Sequence, residues 1–199
     1  MLLKLFFRLN TFVLKTLAAH RLTYYKHLYP GTLCVGHNIR FGKGSSIVVA
    51  NPTASAMLRI GNGSAFRQRC VLTLEEGGEL IIGANNFFNN NCGISCLGQI
   101  TIGNDNLFGE NVKLYDHNHE FRNADRLVRD QGFNMGKIVI GDNCWFGSNC
   151  VILNNVIVGD NVVVGANVVV YKSIPANSLV RLESTITVRP LTRPTSSAD

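Results

Sequence analysis

Two histidines stand close together in the segment Asp116-His117-Asn118-His119. A neutral imidazole near pH 7 can take the proton of a hydroxyl group while that group attacks an electrophilic carbon. Asp116 could hold one imidazole tautomer, but aspartate is also an ordinary turn residue. The segment therefore contains candidates for a general base.

An irregular segment, residues 120–139, follows these histidines. Long insertions into a regular fold usually serve function. Trp145, the only tryptophan, comes soon after this segment. In the repeat described next, Trp145 and His119 both occupy the last place of a six-residue unit. We expect both side chains to point outward and to flank one cleft.

The sequence on both sides of this segment repeats with a period of six residues, and the repeat stays in phase from Ile140 to Pro175. Each unit, or hexad, opens with an apolar residue: Ile140, Phe146, Ile152, Val158, Val164 and Val170. Glycine occupies the second place at Gly141, Gly147, Gly159 and Gly165. This period fits neither an amphipathic helix nor an alternating strand, and short hexapeptide repeats are typical of a parallel β-helix. The sequence predicts an all-β solenoid of about seven coils, with three hexads in each coil.

The predicted solenoid covers residues 31–180, preceded by a helical segment at 1–30 and followed by a tail at 181–199. The segment MLLKLFFRLNTFVLKTLAAH has an apolar face interrupted by basic residues. It therefore either caps the end of the solenoid or lies on the inner surface of a membrane, through residues 1–20. We expect a cytoplasmic protein, which in the second case associates with the inner face of the membrane.

Composition narrows the class of protein. The chain has 199 residues, 46% of them hydrophobic, which argues against disorder. The net charge of +6 favours an anionic membrane surface or anionic small molecules over nucleic acid, because no nucleic-acid motif is present. Several of the six cysteines fall at the fifth place of a hexad, where they serve as small core residues. Such use of cysteine indicates a reducing compartment.

The hexads, the loop after LYDHNH and the motif CWFGSN resemble the hexapeptide-repeat acyltransferases, across about residues 60–178. These are left-handed β-helix enzymes that use acetyl-CoA, and the branch it is most similar to contains sugar and surface-polysaccharide O-acetyltransferases. The resemblance implies that His119 is the base, with His117 as the competing candidate and Asp116 as an orienting residue. It also implies that Trp145 borders the active site and that Asn89 contacts the acceptor sugar.

The same resemblance implies that acetyl-CoA lies in a groove between neighbouring prisms. Trp145, Ser148, Ala166 and Lys172 match positions that line the cofactor, and no metal is required. The family's usual ending after IPAN is replaced here, so that Arg181 or Arg189 could supply the terminal contacts. The expected assembly is a homotrimer with active sites between subunits.

The function implied is acetyl transfer from acetyl-CoA to a sugar hydroxyl of capsule, O-antigen or exopolysaccharide, or of a precursor. Its alternative is an acetyltransferase for a small free sugar or amino sugar. Two other classes are a zinc enzyme, which would need His37, His117 and His119 to converge, and a catalytically silent scaffold.

Overall fold

The computed structural model describes residues 20–50 and 56–183, which form one helix, α1 (20–28), and a parallel β-helix. The solenoid is left-handed, as the sequence predicts, and has six complete coils and the beginning of a seventh. The predicted all-β hexapeptide solenoid is therefore confirmed. Each coil contributes one strand to each of three parallel sheets, faces A, B and C, so that the cross-section is triangular.

Face A contains β1 (Leu33–Val35), β4 (Met57–Ile60), β7 (Glu79–Ile82), β10 (Gln99–Ile102), β15 (Lys137–Ile140) and β18 (Val156–Val158). Face B contains β2 (Arg40–Phe41), β5 (Ala65–Phe66), β8 (Phe87–Phe88), β11 (Leu107–Phe108), β16 (Trp145–Phe146), β19 (Val163–Val164) and β21 (Leu179–Val180). Face C contains β3 (Ser46–Val49), β6 (Val71–Leu74), β9 (Gly93–Cys96), β12 (Lys113–Tyr115), β17 (Val151–Ile152) and β20 (Val169–Val170). We call the turns between faces corners AB, BC and CA.

The first residue of each hexad points inward and fills the core. On face B the first five of these residues are phenylalanines stacked along the axis: Phe41, Phe66, Phe88, Phe108 and Phe146. Their successive ring centroids lie 4.4 to 5.6 Å apart, and the last four rings are nearly parallel. All six cysteines are free thiols, and five of them are buried. Four of these five stand at the fifth place of a hexad, as predicted for the core: Cys70, Cys92, Cys144 and Cys150. The fifth is Cys96, which the hexad pattern did not assign. Burial of this continuous apolar column drives the folding of the solenoid.

Corners AB and BC have the same length in every complete coil, four residues between consecutive strands. Many of these turns place an asparagine in the left-handed backbone region, where its side chain bonds the next coil. One such ladder runs from Asn111 through Asn149 to Asn167, with amide-to-amide distances of 3.0 and 3.1 Å. Among the described non-glycine residues with positive φ, all are asparagine except Asp105 and Arg69. Arg69, at φ 58°, adopts a conformation that costs roughly 1 to 2 kcal/mol for a residue of its kind.

Corner CA varies in length, and after the fourth coil it extrudes a β-hairpin. Strands β13 (His117–His119) and β14 (Phe133–Met135) pair in antiparallel register, with His119 opposite Phe133. A single-turn 3-10 helix, Val128–Asp130, lies at the tip. The coil resumes at Lys137, so the inserted segment spans 116–136 instead of the predicted 120–139. The hairpin pairs its own two strands, and sequence periodicity does not reveal such an antiparallel pair.

Helix α1 covers the open end of the first coil. Leu22 is buried in the core, and the Tyr25 ring meets Phe41 edge-on at 6.3 Å. The Arg21 guanidinium donates to the carbonyls of Gly42 and Ser45 at 3.0 and 2.8 Å. Residues 20–28 therefore cap the solenoid, which was one of the two predicted roles. The predicted membrane contact through residues 1–20 lies almost entirely outside the described residues, as does most of the tail at 181–199.

Candidate active site

Asp116 is fully buried at the base of the hairpin. It follows β12 at the inward-facing place that Leu74 and Cys96 occupy in the two preceding coils. Its two carboxylate oxygens accept hydrogen bonds from the backbone N–H groups of Leu97 and Gly98, at 3.0 and 2.9 Å. Burial, and then the Asp116 charge, raises the pKa of the neighbouring Cys96 thiol. Asp116 thus satisfies backbone donors where the coil is interrupted, a role that its turn-forming tendency alone does not predict.

His117 is held by Asp116. Its Nδ1 lies 3.0 Å from Asp116 Oδ1, and Phe133 meets the imidazole edge-on at 5.4 Å. Because an ionised carboxylate can only accept, Nδ1 donates to it, which in a neutral imidazole leaves Nε2 as the acceptor. From the sequence, Asp116 was considered as a residue that holds an imidazole tautomer. In the structure it contacts an imidazole in this way, and the imidazole is that of His117.

His119 lies further out on the same hairpin strand and is exposed. Its imidazole packs against the Phe133 ring with a centroid distance of 4.5 Å and has no hydrogen-bond partner among the described residues. Phe133 contacts both imidazoles, so the two histidines share one side of the hairpin. Of the two rings, that of His119 is the more open to a ligand. Sequence analysis did not identify Phe133, because nothing in the irregular segment marked it as a partner of the histidines.

Trp145 projects from the outer side of face B and is 54% exposed. Its strand neighbours are the exposed Leu107 below and the half-buried Val163 above, which form an apolar column with it. Corner CA, which carries His119, is opposite face B in a triangular coil. Within one chain His119 and Trp145 therefore lie on different sides of the prism, and the cleft expected between them is one between subunits. The chain leaves the coil after Tyr115, so the matching hexad places of the two residues do not give matching positions.

Ser148, Ala166 and Asn89 all lie at corner BC. Ser148 and Ala166 occupy the same place in successive coils, and Ser148 Oγ accepts the Glu110 N–H at 3.2 Å. A side chain is missing at Gly147, where a Cβ would stand 2.5 Å from the Ala166 nitrogen. Asn89 lies two coils below, and its side-chain oxygen accepts the Asn90 N–H at 2.9 Å. These three residues line one continuous edge of the prism, next to the face that carries Trp145.

Lys172 stands apart from the other predicted cofactor residues. It follows β20 at corner CA, where its ammonium lies 5.7 Å from the centroid of the Tyr171 ring. Arg181 is exposed immediately after β21, and Arg189 is outside the described residues. The structure thus brings Asn89, Trp145, Ser148 and Ala166 to one side of the prism. A second group of predicted site residues lies at corner CA and consists of Asp116, His117, His119 and Lys172.

Across residues 20–50 and 56–183, no three His, Cys, Asp or Glu side chains are grouped in a way that could hold a metal ion. His37 is at corner AB of the first coil, far along the axis from the hairpin histidines. No helix in the same two ranges is both long and apolar enough to cross a membrane.

Comparison with known proteins identifies the repeat. Residues 137–172 match the family model "Bacterial transferase hexapeptide (six repeats)". A comparison of the sequence with curated proteins finds no match. The match and the fold confirm the resemblance drawn from the hexads: the chain contains the hexapeptide repeat of bacterial transferases and has their fold.

Several solved structures share this fold. A hexapeptide-repeat acetyltransferase from Vibrio cholerae is 26% identical, with a TM-score of 0.53 over 88% of this chain and 82% of that one. A mutant of the N-acyltransferase AntD from Bacillus cereus, in complex with dTDP and coenzyme A, is 19% identical, with a TM-score of 0.62 over 86% and 89%. A maltose O-acetyltransferase from Clostridium difficile 630 is 21% identical, with a TM-score of 0.54 over 84% and 81%. The chain therefore has the β-helix fold of these structures, one of which contains coenzyme A.

Proposed function

We propose that this protein transfers the acetyl group of acetyl-CoA to a hydroxyl of a saccharide, in a cleft formed between two copies of the chain. The proposal is carried by the residues that lie in the matched repeat and in the hairpin before it. The segment 137–172 contains Trp145, Ser148, Ala166 and Lys172, and the hairpin presents the exposed imidazole of His119. The Vibrio cholerae relative, an acetyltransferase by name, supports acetyl as the transferred group.

The reaction requires a general base and a thioester that the protein holds in position. His119 takes the proton of the acceptor hydroxyl as its oxygen attacks the thioester carbonyl carbon. The tetrahedral intermediate collapses, the carbon–sulfur bond breaks, and the imidazolium returns its proton to the CoA thiolate. In this proposal Ser148 bonds the thioester or the pantetheine arm, and the small Ala166 lets that arm approach the backbone. Lys172 offers a positive charge to a CoA phosphate.

His119 is preferred to His117 as the base because of its surroundings. The His117 imidazole is fixed by Asp116 and its side chain is only 15% exposed, whereas the His119 side chain is exposed. We assign to the Asp116–His117 pair the role of fixing the base of the hairpin, and through Phe133 the ring of His119.

A homotrimer with active sites between subunits is the proposed assembly. His119 and Trp145 lie on opposite sides of one prism, so a cleft that uses both needs two copies. A cyclic arrangement of three chains provides three such clefts with one type of contact. Sedimentation equilibrium measures the assembly directly, and a fully active monomer would contradict it.

The acceptor proposed is a cell-surface polysaccharide, such as capsule, O-antigen or exopolysaccharide, or a precursor of one. The test is incubation of the purified protein with radiolabelled acetyl-CoA and a panel of such fragments, together with small free sugars and amino sugars. We expect label in a polysaccharide fragment and release of CoA in equal amount. Label only in a small sugar would support the alternative acceptor class, and no transfer to any saccharide would refute the proposal.

We further propose that residues 1–20 contact the inner face of a membrane. Their sequence combines basic and bulky apolar residues. Flotation with anionic vesicles, comparing the full chain with one that lacks residues 1–20, measures this contact. Turnover on a soluble acceptor should be nearly the same for both proteins.

A further inference from the structure

The charges of this chain are distributed unevenly along the sequence. The first 74 residues contain ten lysines and arginines and no aspartate or glutamate, whereas the remaining 125 contain nine and thirteen. In the folded protein the first two coils are therefore purely basic. No ion pair involves Arg40, Lys43, Arg67 or Arg69 among the described residues.

These basic residues gather at corner BC. Lys43 is in the turn of the first coil, Arg67 and Arg69 are in the turn of the second, and Arg40 is beside them on face B. Asn89 is in the corresponding turn of the third coil. Coils in such a solenoid are about 4.8 Å apart, so the basic residues lie roughly 5 to 10 Å below Asn89 along one edge. The edge that carries the proposed cofactor and acceptor residues continues directly into this basic corner.

Arg69 is held in a conformation that the repeat does not require. The same place in the other five turns of corner BC is occupied by glycine or asparagine: Gly44, Asn91, Asn111, Asn149 and Asn167. An asparagine at this place would adopt the positive φ and would also keep the side-chain hydrogen bond to the next coil. That bond runs from Arg69 Nε to Asn91 Oδ1, at 2.8 Å, and an asparagine amide could donate it equally well. The two terminal guanidinium nitrogens have no partner among the described residues. A strained residue that persists where a relaxed one would fit indicates a function for its side chain.

We propose that this basic corner, formed by Arg40, Lys43, Arg67 and Arg69, binds an anionic group of the acceptor. The substrate class is then a saccharide that carries a phosphate or a carboxylate, with the anion one sugar unit or less from the acetylated ring. A guanidinium held at Nε presents its remaining donors as a fork that matches either anion. The inference rests on the proposed function for its transfer step, but anion binding itself can be measured without turnover.

The decisive variant is Arg69→Asn, which suits the φ of this turn. The acceptors are hexose 1-phosphates, methyl hexuronides and the matching neutral methyl hexosides. We expect Arg69→Asn to raise KM for the anionic acceptors on the order of tenfold, the usual loss for one charge-assisted hydrogen bond. KM for neutral acceptors and for acetyl-CoA should stay unchanged, and the thermal midpoint should rise. Arg59→Gln is the matched control, because it removes a charge from the same coil on face A.

The response to the two anionic series distinguishes phosphate from carboxylate as the natural group. Calorimetric titration of hexose 1-phosphates and methyl hexuronides into the CoA complex tests binding separately. If no saccharide is acetylated but Arg69→Asn weakens the binding of an anionic sugar, the proposed transfer fails and the subsite stands. Equal binding by the wild type and Arg69→Asn, or no binding by either, overturns the subsite. If Arg69→Asn instead raises KM for acetyl-CoA, the corner binds CoA and the inference is overturned. If Arg69→Asn loses only the binding of anionic vesicles or oligonucleotides, the corner binds another polyanion and the inference is likewise overturned.

Discussion

Corners BC and CA come from the same hexapeptide repeat but have opposite characters. Corner BC has four residues in every complete coil, and its side chains stack in straight columns. Corner CA ranges from two residues after β9 to the whole hairpin after β12. A corner of constant length can contact an extended ligand along several coils, whereas a corner of variable length can project one element away from the axis. The proposed active site needs both, and it obtains them from two different copies.

The largest expected effect tests the variable corner. His119→Ala should reduce turnover on the order of 10²- to 10⁴-fold, the usual range for removal of a general base. Its ring is exposed, so the thermal midpoint and CoA binding should change little. Steady-state kinetics and calorimetry measure these quantities, with His117→Ala as the paired variant. We expect a much smaller loss for His117→Ala; the reverse ranking would exchange the roles of the two histidines.

Mixing two inactive variants tests whether the two corners act together across a subunit contact. His119→Ala and Trp145→Ala should each be impaired alone. Refolded together at equal amounts, they should regain about a quarter of the wild-type sites, because a cyclic trimer then pairs an intact His119 with an intact neighbouring Trp145 at that frequency. Activity is measured before and after mixing, with separately refolded proteins as the control. Absence of recovery would place both residues in a cleft of one chain or would exclude Trp145 from the site.

Asp116 should matter more for folding than for the chemical step. Asp116→Ala leaves the N–H groups of Leu97 and Gly98 without their acceptors, so the free energy of unfolding should fall by roughly 2 to 4 kcal/mol. Urea unfolding measures the loss. Asp116→Asn, which keeps one acceptor oxygen, should lose less. Equal stability of all three proteins would contradict the structural role given to this carboxylate.

Two glycines of corner BC provide the smallest and most local test. Gly147→Ala would place a Cβ 2.5 Å from the Ala166 nitrogen, whereas at Gly165 the nearest atom to such a Cβ is 3.5 Å away. Gly147→Ala should therefore destabilise the protein by about 1 to 3 kcal/mol and weaken CoA binding at Ser148. Gly165→Ala should be tolerated. Thermal unfolding and CoA titration of the pair measure the difference, and similar behaviour would mean that the corner is less tightly stacked than the distances indicate.

Sequence reasoning predicted the fold because the period of six is repeated many times. Each of Phe41, Phe66, Phe88, Phe108 and Phe146 could be assigned to the core from its hexad place alone, and each is buried. The same counting failed at His119, since the chain leaves the coil after Tyr115 and hexad places cease to have meaning in the hairpin. The significance of Arg69 was also missed, because nothing in the residues around it states that this turn has a positive φ.

The sequence by itself determined the solenoid, its inward residues, its asparagine turns and the one break in the repeat. These follow from local periodicity, in which each hexad contacts its equivalents in the coils above and below. Only the tertiary structure decided that Asp116 bonds His117, that Phe133 contacts both histidines, and that Trp145 faces away from them. Those relations depend on how the hairpin folds back on its own base and on which corner of the triangle each turn occupies. Both are set by packing between segments distant in the sequence, which a repeat of identical units does not encode.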